Sequence, residues 1–341
     1  MTANIRDTQK RTEAIPESFG INTLWRRAPL DLLILLFALV GVFAFFSFKS
    51  PSFYSIANVS TIAQQTAIVG TAALGMTLII IAGGIDLSVG SVIALTTVAI
   101  AWLLQKGYSP SAAALGGVGV AALCGFFNGL LTTTLKVVPF IVTLGTLLVY
   151  RGAAKGFAGN QKIDVDPERL FWLESLLASL AKEQKWMIVP PGVWMMILLA
   201  VLVIALLHLT KFGLHVFAVG SNEATARLCG VRVPLVQLAV YTLAGVFAGI
   251  AGMLQFSRLT VGDPTVAQGQ ELDVIAAVVI GGGSLSGGRG SIVGTLIGAF
   301  FMRTVRSGCS YLGLDNWVQE VVTGLIIVAA VALDRLRQRR S

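Results

Sequence analysis

Charge is what this sequence has least of. Of 341 residues only 12% are Asp, Glu, Lys or Arg, about half the share in an ordinary soluble domain. Meanwhile 55% are hydrophobic and the mean hydropathy is +0.81. That balance excludes a compact soluble enzyme, a nucleic-acid module and a disordered tail. Histidine is almost absent: His208 and His215 are the only two, and neither has a ligand-spaced neighbour. The three cysteines are scattered, Cys124 in an apolar run, Cys229 in a polar loop and Cys309 near a helix end. They offer no metal-ligand spacing and no even disulfide framework, so no metal is expected. Acids are scarce within the apolar runs, too scarce for a proton relay or a Na⁺ site. No Ser–His, Cys–His or metal-ligand set marks an intramembrane enzyme either, so no catalytic residue is expected.

Long apolar runs fill the space instead. Ten are legible: Pro29–Phe48, Thr61–Ala82, Val89–Gln105, Ser111–Leu135, Val137–Tyr150, Gly192–Leu209, Pro234–Gln255, Leu272–Gly281, Ile292–Thr304 and Asn316–Leu333. A spanning helix uses roughly 20 residues, so they predict an all-α, polytopic membrane bundle of about ten helices. The fifth and eighth runs are short and are expected to be broken or tilted helices packed against protein. The predicted organisation is a polar N-terminal segment 1–27, a transmembrane body 28–333, and a basic tail 334–341. Within the body lie an outer loop 151–191, with a short helix near Leu170–Leu180, and a loop 211–233. No cleaved signal peptide is expected, and the first run should stay as an anchor.

An even span count puts both termini on one side, and the cations select it. Arg6, Lys10, Arg11, Arg26, Arg27, Lys136, Lys211, Arg227, Arg232, Arg289, Arg335, Arg337, Arg339 and Arg340 fall on that side. Lys49, Lys106, Arg258, Arg303 and Arg306 fall on the other, with the outer loop, whose six bases are offset by five acids. Both termini are therefore expected to be cytoplasmic.

Several small details carry local structure. Glycines four apart at Gly125/Gly129, Gly245/Gly249 and Gly294/Gly298 suit close helix crossings where lipid offers no hydrophobic drive. Two glycine-rich turns, 82–91 and 281–291, are expected at the cytoplasmic face. The second has the glycine interval of a phosphate loop, but Arg289 stands where Lys is needed and Gly290 where Ser or Thr is needed. The chain is not expected to bind ATP by that route. In the first turn, Asp86, followed by Ser88, either caps the third span or lines the inner mouth of a pathway. Gln64, Gln65, Asn128, Gln237 and Thr132–Thr134 either hydrogen-bond neighbouring helices or face a neutral polyol.

In the 211–233 loop, Ser221 or Asn222 can cap a helix, Glu223 suits its positive first turn, and Gly230 suits its end. The resulting helix of about two turns is too short to be stable alone. It needs a surface to dock on, either the chain's own loops or a separate motor subunit.

Residues 74–91 (Leu-Gly-Met-Thr-Leu-Ile-Ile-Ile-Ala-Gly-Gly-Ile-Asp-Leu-Ser-Val-Gly-Ser), 139–146 (Pro-Phe-Ile-Val-Thr-Leu-Gly-Thr), 220–230, 270–284 and 294–298 together resemble the permease of bacterial ATP-binding-cassette sugar importers of the ribose, xylose and galactose type. The resemblance implies a pathway for a ribose-like monosaccharide in the bacterial inner membrane. It also implies a second permease, copy or paralogue, and a periplasmic or lipid-anchored sugar-binding protein. Cytoplasmic ATPase subunits would bind the ATP, leaving this chain with no cofactor of its own and no nucleic-acid partner. The 220–230 loop resembles the family's coupling helix, which places Asn222, Glu223 and Arg227 at the motor interface, flanked by Gly220 and Gly230. Asp86, Ser88, Asn128 and Thr143 become pathway or gate candidates. Ser221 and Cys229 depart from the usual Gly and Ser, and the outer loop 156–191 matches poorly. A nucleoside, a polyol or a furanosyl signal molecule fits the same architecture; an ion-coupled secondary transporter is a more distant alternative. Glu223→Pro is expected to abolish transport without blocking membrane insertion.

Overall fold

The computed structural model describes residues 21–178 and 188–338. Most of the polar N-terminal segment, part of the outer loop and the last residues of the basic tail lie outside these.

The helices follow the apolar runs. They are α1 (Ile21–Lys49), α2 (Ile56–Ile81), α3 (Val89–Gln105), α4 (Pro110–Leu135), α5 (Pro139–Phe157), α6 (Trp172–Ser175), α7 (Pro191–Leu209), α8 (Lys211–Ser221), α9 (Glu223–Leu228), α10 (Val233–Leu259), α11 (Gln270–Ile280), α12 (Ile292–Tyr311) and α13 (Asn316–Gln338). Five of the described helices, in α1, α2, α4, α7 and α10, are long and apolar enough to cross a membrane. The other expected spans coincide with shorter or more polar helices. The third run matches α3 to the residue. The fifth extends beyond Tyr150 to Phe157, carrying Arg151 and Lys155 into a helix instead of the outer loop. The first helix begins at Ile21, inside what reads as a polar segment. Of the expected outer-loop helix near Leu170–Leu180, the described residues form the single turn α6, and residues 179 and 180 lie outside them.

α2 is the centre of the bundle, buried along most of its length. α7, α10, α11 and α12 pack around it, α4 lies against α10, and α3 lies against α4, α5 and α10. Small residues allow that proximity. A Cβ on Gly125 would stand 2.9 Å from Gly245 Cα and collide with the Tyr241 carbonyl, so α4 and α10 touch backbone to backbone. In lipid such contacts replace the hydrophobic drive that holds soluble helices together. A second cluster, Phe46, Phe53, Ile62, Val305 and Cys309, fixes α1 and α12 to the start of α2.

The expectation of a broken span holds at α11, which is only 11 residues long. It is reached by a non-helical stretch, 260–269, that runs down the side of α3. Gly262 packs against Ala101 and Val98, the Asp263 backbone N–H meets Thr97, and the Ala267 carbonyl lies over Gly90. At 1.5 Å per residue that descent is about 16 Å, so α11 begins partway into the bundle. Protein groups meet much of its backbone, the Arg151 guanidinium at the Pro264 and Val266 carbonyls, Asp263 at the Thr265 N–H and Glu271 at the Gly269 N–H, as irregular backbone at such depth requires. Two residues of it form a short antiparallel ladder with the outer loop, Ile163 opposite Gly262 and Asp164 opposite Val261.

Candidate functional site

Two of the sequence-predicted groups come together at one end of the bundle. The first is the turn between α2 and α3. Asp86 and Ser88 are buried there, at 6% and 0% exposure, and Asn128 of α4 is fully enclosed beside them. Asp86 Oδ1 accepts from the Ser88 N–H and the Ser88 hydroxyl, both at 2.7 Å. Asn128 Nδ2 donates to Ser88 Oγ at 2.8 Å and lies 3.4 Å from Asp86 Oδ2. Its carbonyl oxygen accepts from the Tyr150 hydroxyl of α5 at 3.0 Å. Thr143 of α5 joins through the backbone, donating to the Ile85 carbonyl at 3.2 Å.

Asp86 is therefore not the helix cap. Ser88 holds the N-cap position of α3 and makes no side-chain cap bond; the carboxylate instead ties its own turn to α4. Tyr150 was not legible as a member, because nothing local to the run it ends pairs it with Asn128 of another helix. Thr132, Thr133 and Thr134 turn their hydroxyls back to the carbonyls of Asn128, Gly129 and Leu130 in their own helix. They satisfy themselves locally.

Asn128→Leu removes both donors to this turn and the acceptor for Tyr150. An unsatisfied buried group costs roughly 1–3 kcal/mol, so the substituted protein should melt measurably lower in detergent. An unchanged melting temperature would show that the cluster does not hold the turn.

The second group is the 211–233 segment. α8 is capped by Thr210, whose Oγ1 accepts from the Gly213 N–H at 3.2 Å, and was not anticipated as a helix. Asn222, not Ser221, caps α9: its Oδ1 accepts from the Thr225 N–H at 2.9 Å. Glu223 and Arg227 lie exposed one turn apart and pair at 2.7 Å. Gly230 closes the element with φ +83°, a conformation other residues adopt only with strain. In α9 only Ala226 is buried, which leaves the rest of this short helix facing outward.

Gly220 sits behind that surface, not on it. A Cβ there would overlap the Ile81 carbonyl at the end of α2 and stand 2.8 Å from the Gly288 nitrogen. Gly288 N–H itself donates to Ile81 O at 2.9 Å. The two glycine-rich turns and the end of α8 thus meet at one backbone junction, one residue before Ser221 and two before the α9 cap. Sequence spacing put both turns at the same face; it could not show them touching.

A third cluster was missed. Arg303 of α12 is paired with Asp273 of α11, with side chains 5% and 1% exposed. Arg306 reaches the same carboxylate at 3.3 Å. By sequence both arginines are simply counted among the cations of the outer side; the structure shows them on α12, Arg303 buried, both reaching Asp273. Arg151 is likewise buried, and its guanidinium donates to the carbonyls of Pro264 and Val266, pinning the non-helical 260–269 stretch. In that stretch the Asp263 carboxylate accepts from the Thr265 N–H and hydroxyl and pairs with the Lys162 ammonium at 3.3 Å. Among the described residues no group of three or more His, Cys, Asp and Glu is placed to hold a metal ion.

A polytopic helix bundle with a broken internal helix, polar side chains joined across its helices and a short exposed helix at one end is built to carry a solute past a membrane, and its class is that of a permease. Residues 58–331 match the family described as branched-chain amino acid transport system, permease component, and the chain belongs to that family. It is 40% identical over 290 residues to the ribose import permease protein RbsC of Bacillus subtilis, covering 85% of this chain and 88% of that one. It is 35% identical over 311 residues to the fructose import permease protein FrcC of Rhizobium meliloti, covering 90% and 85%. Over 303 residues it is 32% identical to the autoinducer 2 import system permease protein LsrC of Photorhabdus laumondii, covering 89% of each. No solved structure matches.

Proposed function

We propose that this chain is the permease subunit of an ATP-binding-cassette importer for a ribose-like monosaccharide. Two such subunits, identical or paralogous, would enclose the pathway in the bacterial inner membrane, with both termini cytoplasmic. ATP is bound and hydrolysed by separate cytoplasmic subunits, and an exported sugar-binding protein delivers the solute. The permease performs no covalent chemistry. Similarity to ribose import permeases over most of both chains supports the substrate class.

The observation that carries the mechanism is the exposed, capped helix α9 joined through Gly220 to the turns 82–88 and 281–291. Closure of the ATPase subunits pulls α9. The end of α8 moves with it, and because the junction is backbone against backbone it cannot slip. The displacement reaches the Asp86–Ser88–Asn128 cluster, which links the turn to α4 and α5, and swings the bundle from outward- to inward-facing. Asn222, Glu223 and Arg227 meet the motor; Asp86, Ser88, Asn128 and Thr143 move the gate.

Glu223 is the first residue of α9, a position where proline is well accommodated, so Glu223→Pro is a poor disruptor. Ala226→Pro is the effective one. It deletes the Ala226 N–H bond to the Asn222 carbonyl and clashes with the preceding turn, at about 3 kcal/mol or more. In proteoliposomes holding the ATPase subunit, binding protein and labelled ribose, Ala226→Pro should abolish ATP-dependent uptake, while Glu223→Pro, which keeps the helix but loses the carboxylate that meets the motor and pairs with Arg227, should lower it less. Retained uptake in Ala226→Pro would remove α9 from the mechanism. Relatives named for fructose and autoinducer 2 import favour a second reading of the solute within the same architecture; competition of ribose uptake by each separates them.

A further inference from the structure

Beside α9 lies a hollow of about 240 Å³ lined by Ser221, Ser284, Ser286, Gly287, Gly288 and Arg289. We propose that it is a second docking point for the ATPase subunit, a socket that receives an acidic side chain and pairs it with Arg289. The inference rests on the permease reading above and adds to it a contact outside the coupling helix.

The socket is preformed. Ser284 N–H donates to the Arg289 carbonyl at 3.1 Å, Gly287 N–H to the Ser284 carbonyl at 2.9 Å, and Gly288 N–H to the Ile81 carbonyl at 2.9 Å. The Ser284 hydroxyl reaches Asp334 of α13 at 3.4 Å. The turn is therefore fastened to α2 and α13, and it does not need to be ordered by a partner, which removes one cost of binding.

Its chemistry selects a carboxylate. Arg289 is the only charged residue of the lining; it is exposed and makes no ion pair among the described residues. The rest of the lining is serine and glycine. A planar guanidinium favours bidentate pairing with a carboxylate.

Its position selects the source. Gly287 and Gly288 press on the backbone of Gly220 and Ser221, a Cβ at Gly288 falling 3.0 Å from Ser221 Cα. Ser221 immediately precedes the α9 cap, so a protein engaging Asn222, Glu223 and Arg227 covers the hollow at the same time. A rigid contact on the 281–291 turn would also give the motor a grip on the start of α12, in addition to its grip on α8.

Two substitutions in the full chain, assembled with the cognate ATPase subunit, test this. Arg289→Lys retains the charge and adds an amine, which a zero-length carbodiimide joins to an adjacent carboxylate. A cross-link to the ATPase subunit mapped to position 289 is expected, and its absence would overturn the socket. Arg289→Glu places two like charges together and should weaken association on the order of tenfold, with a reduced dependence on salt. Unchanged affinity, with the protein eluting as a single species in detergent, would overturn the proposal while leaving the permease reading intact. Failure of the wild-type chain to bind the ATPase subunit would instead overturn both.

Discussion

Gly220→Val should leave the chain inserted and folded yet reduce ATP-dependent transport at least tenfold. The reason is local. Gly220 faces the acceptor and donor of one hydrogen bond, Ile81 O and Gly288 N, and any side chain must part them. The branched valine has no rotamer that escapes, because the first collision is at Cβ itself. Parting the bond detaches α8 from the ends of both glycine-rich turns, so α9 can move without moving the gate. Basal hydrolysis by the ATPase subunit should persist, and stimulation by the loaded binding protein should vanish. Gly230→Ala is the control. A Cβ there meets nothing within 4 Å, and the substitution carries only the left-handed backbone penalty of about 1–2 kcal/mol, so transport should fall slightly if at all. Wild-type stimulation in Gly220→Val would show that force reaches the pathway by another route.

Arg303→Met is expected to have the larger effect on stability. It strips a buried carboxylate of its main partner and leaves Asp273 to Arg306 alone, 3.3 Å away. Breaking a buried ion pair from one side costs about 3–5 kcal/mol, whereas replacing both partners by apolar groups is often close to neutral. The double substitution Asp273→Leu, Arg303→Met should therefore recover most of the loss in a detergent unfolding titration. The interaction energy from such a cycle should be well above the few tenths expected for independent sites. Additive losses would mean that the pair does not join α11 to α12.

How far the sequence reaches is set by range. Features with a local cause were legible: the apolar run Val89–Gln105 is α3, Asn222 caps α9, and the glycines at 125 and 245 mark a helix crossing. Features whose cause lies far along the chain were not. Asp86 meets Asn128 across 42 residues, and hydropathy holds nothing that pairs them, although the residues themselves stood out as polar groups beside apolar runs. The pairing of Arg303 and Arg306 was missed for a related reason. A cation inside an apolar stretch reads as a loop unless its acid is known, and Asp273 stands 30 positions away in a separate run. The non-helical 260–269 stretch was anticipated only through the shortness of the eighth run. Its fixing by Arg151 depends on carbonyls more than 110 positions distant. Gly220 was singled out as part of a motif, but its role as a wedge against Ile81 needed the fold.

The most direct measurement is the hydrolysis rate of the cognate ATPase subunit with and without this chain in lipid nanodiscs, in the presence of the sugar-loaded binding protein. Co-purification of the subunits and a several-fold rise in rate, lost in Ala226→Pro, are predicted. A motor that neither associates with the wild-type chain nor changes its rate would contradict the assignment of this bundle as a pathway worked by a nucleotide-hydrolysing partner.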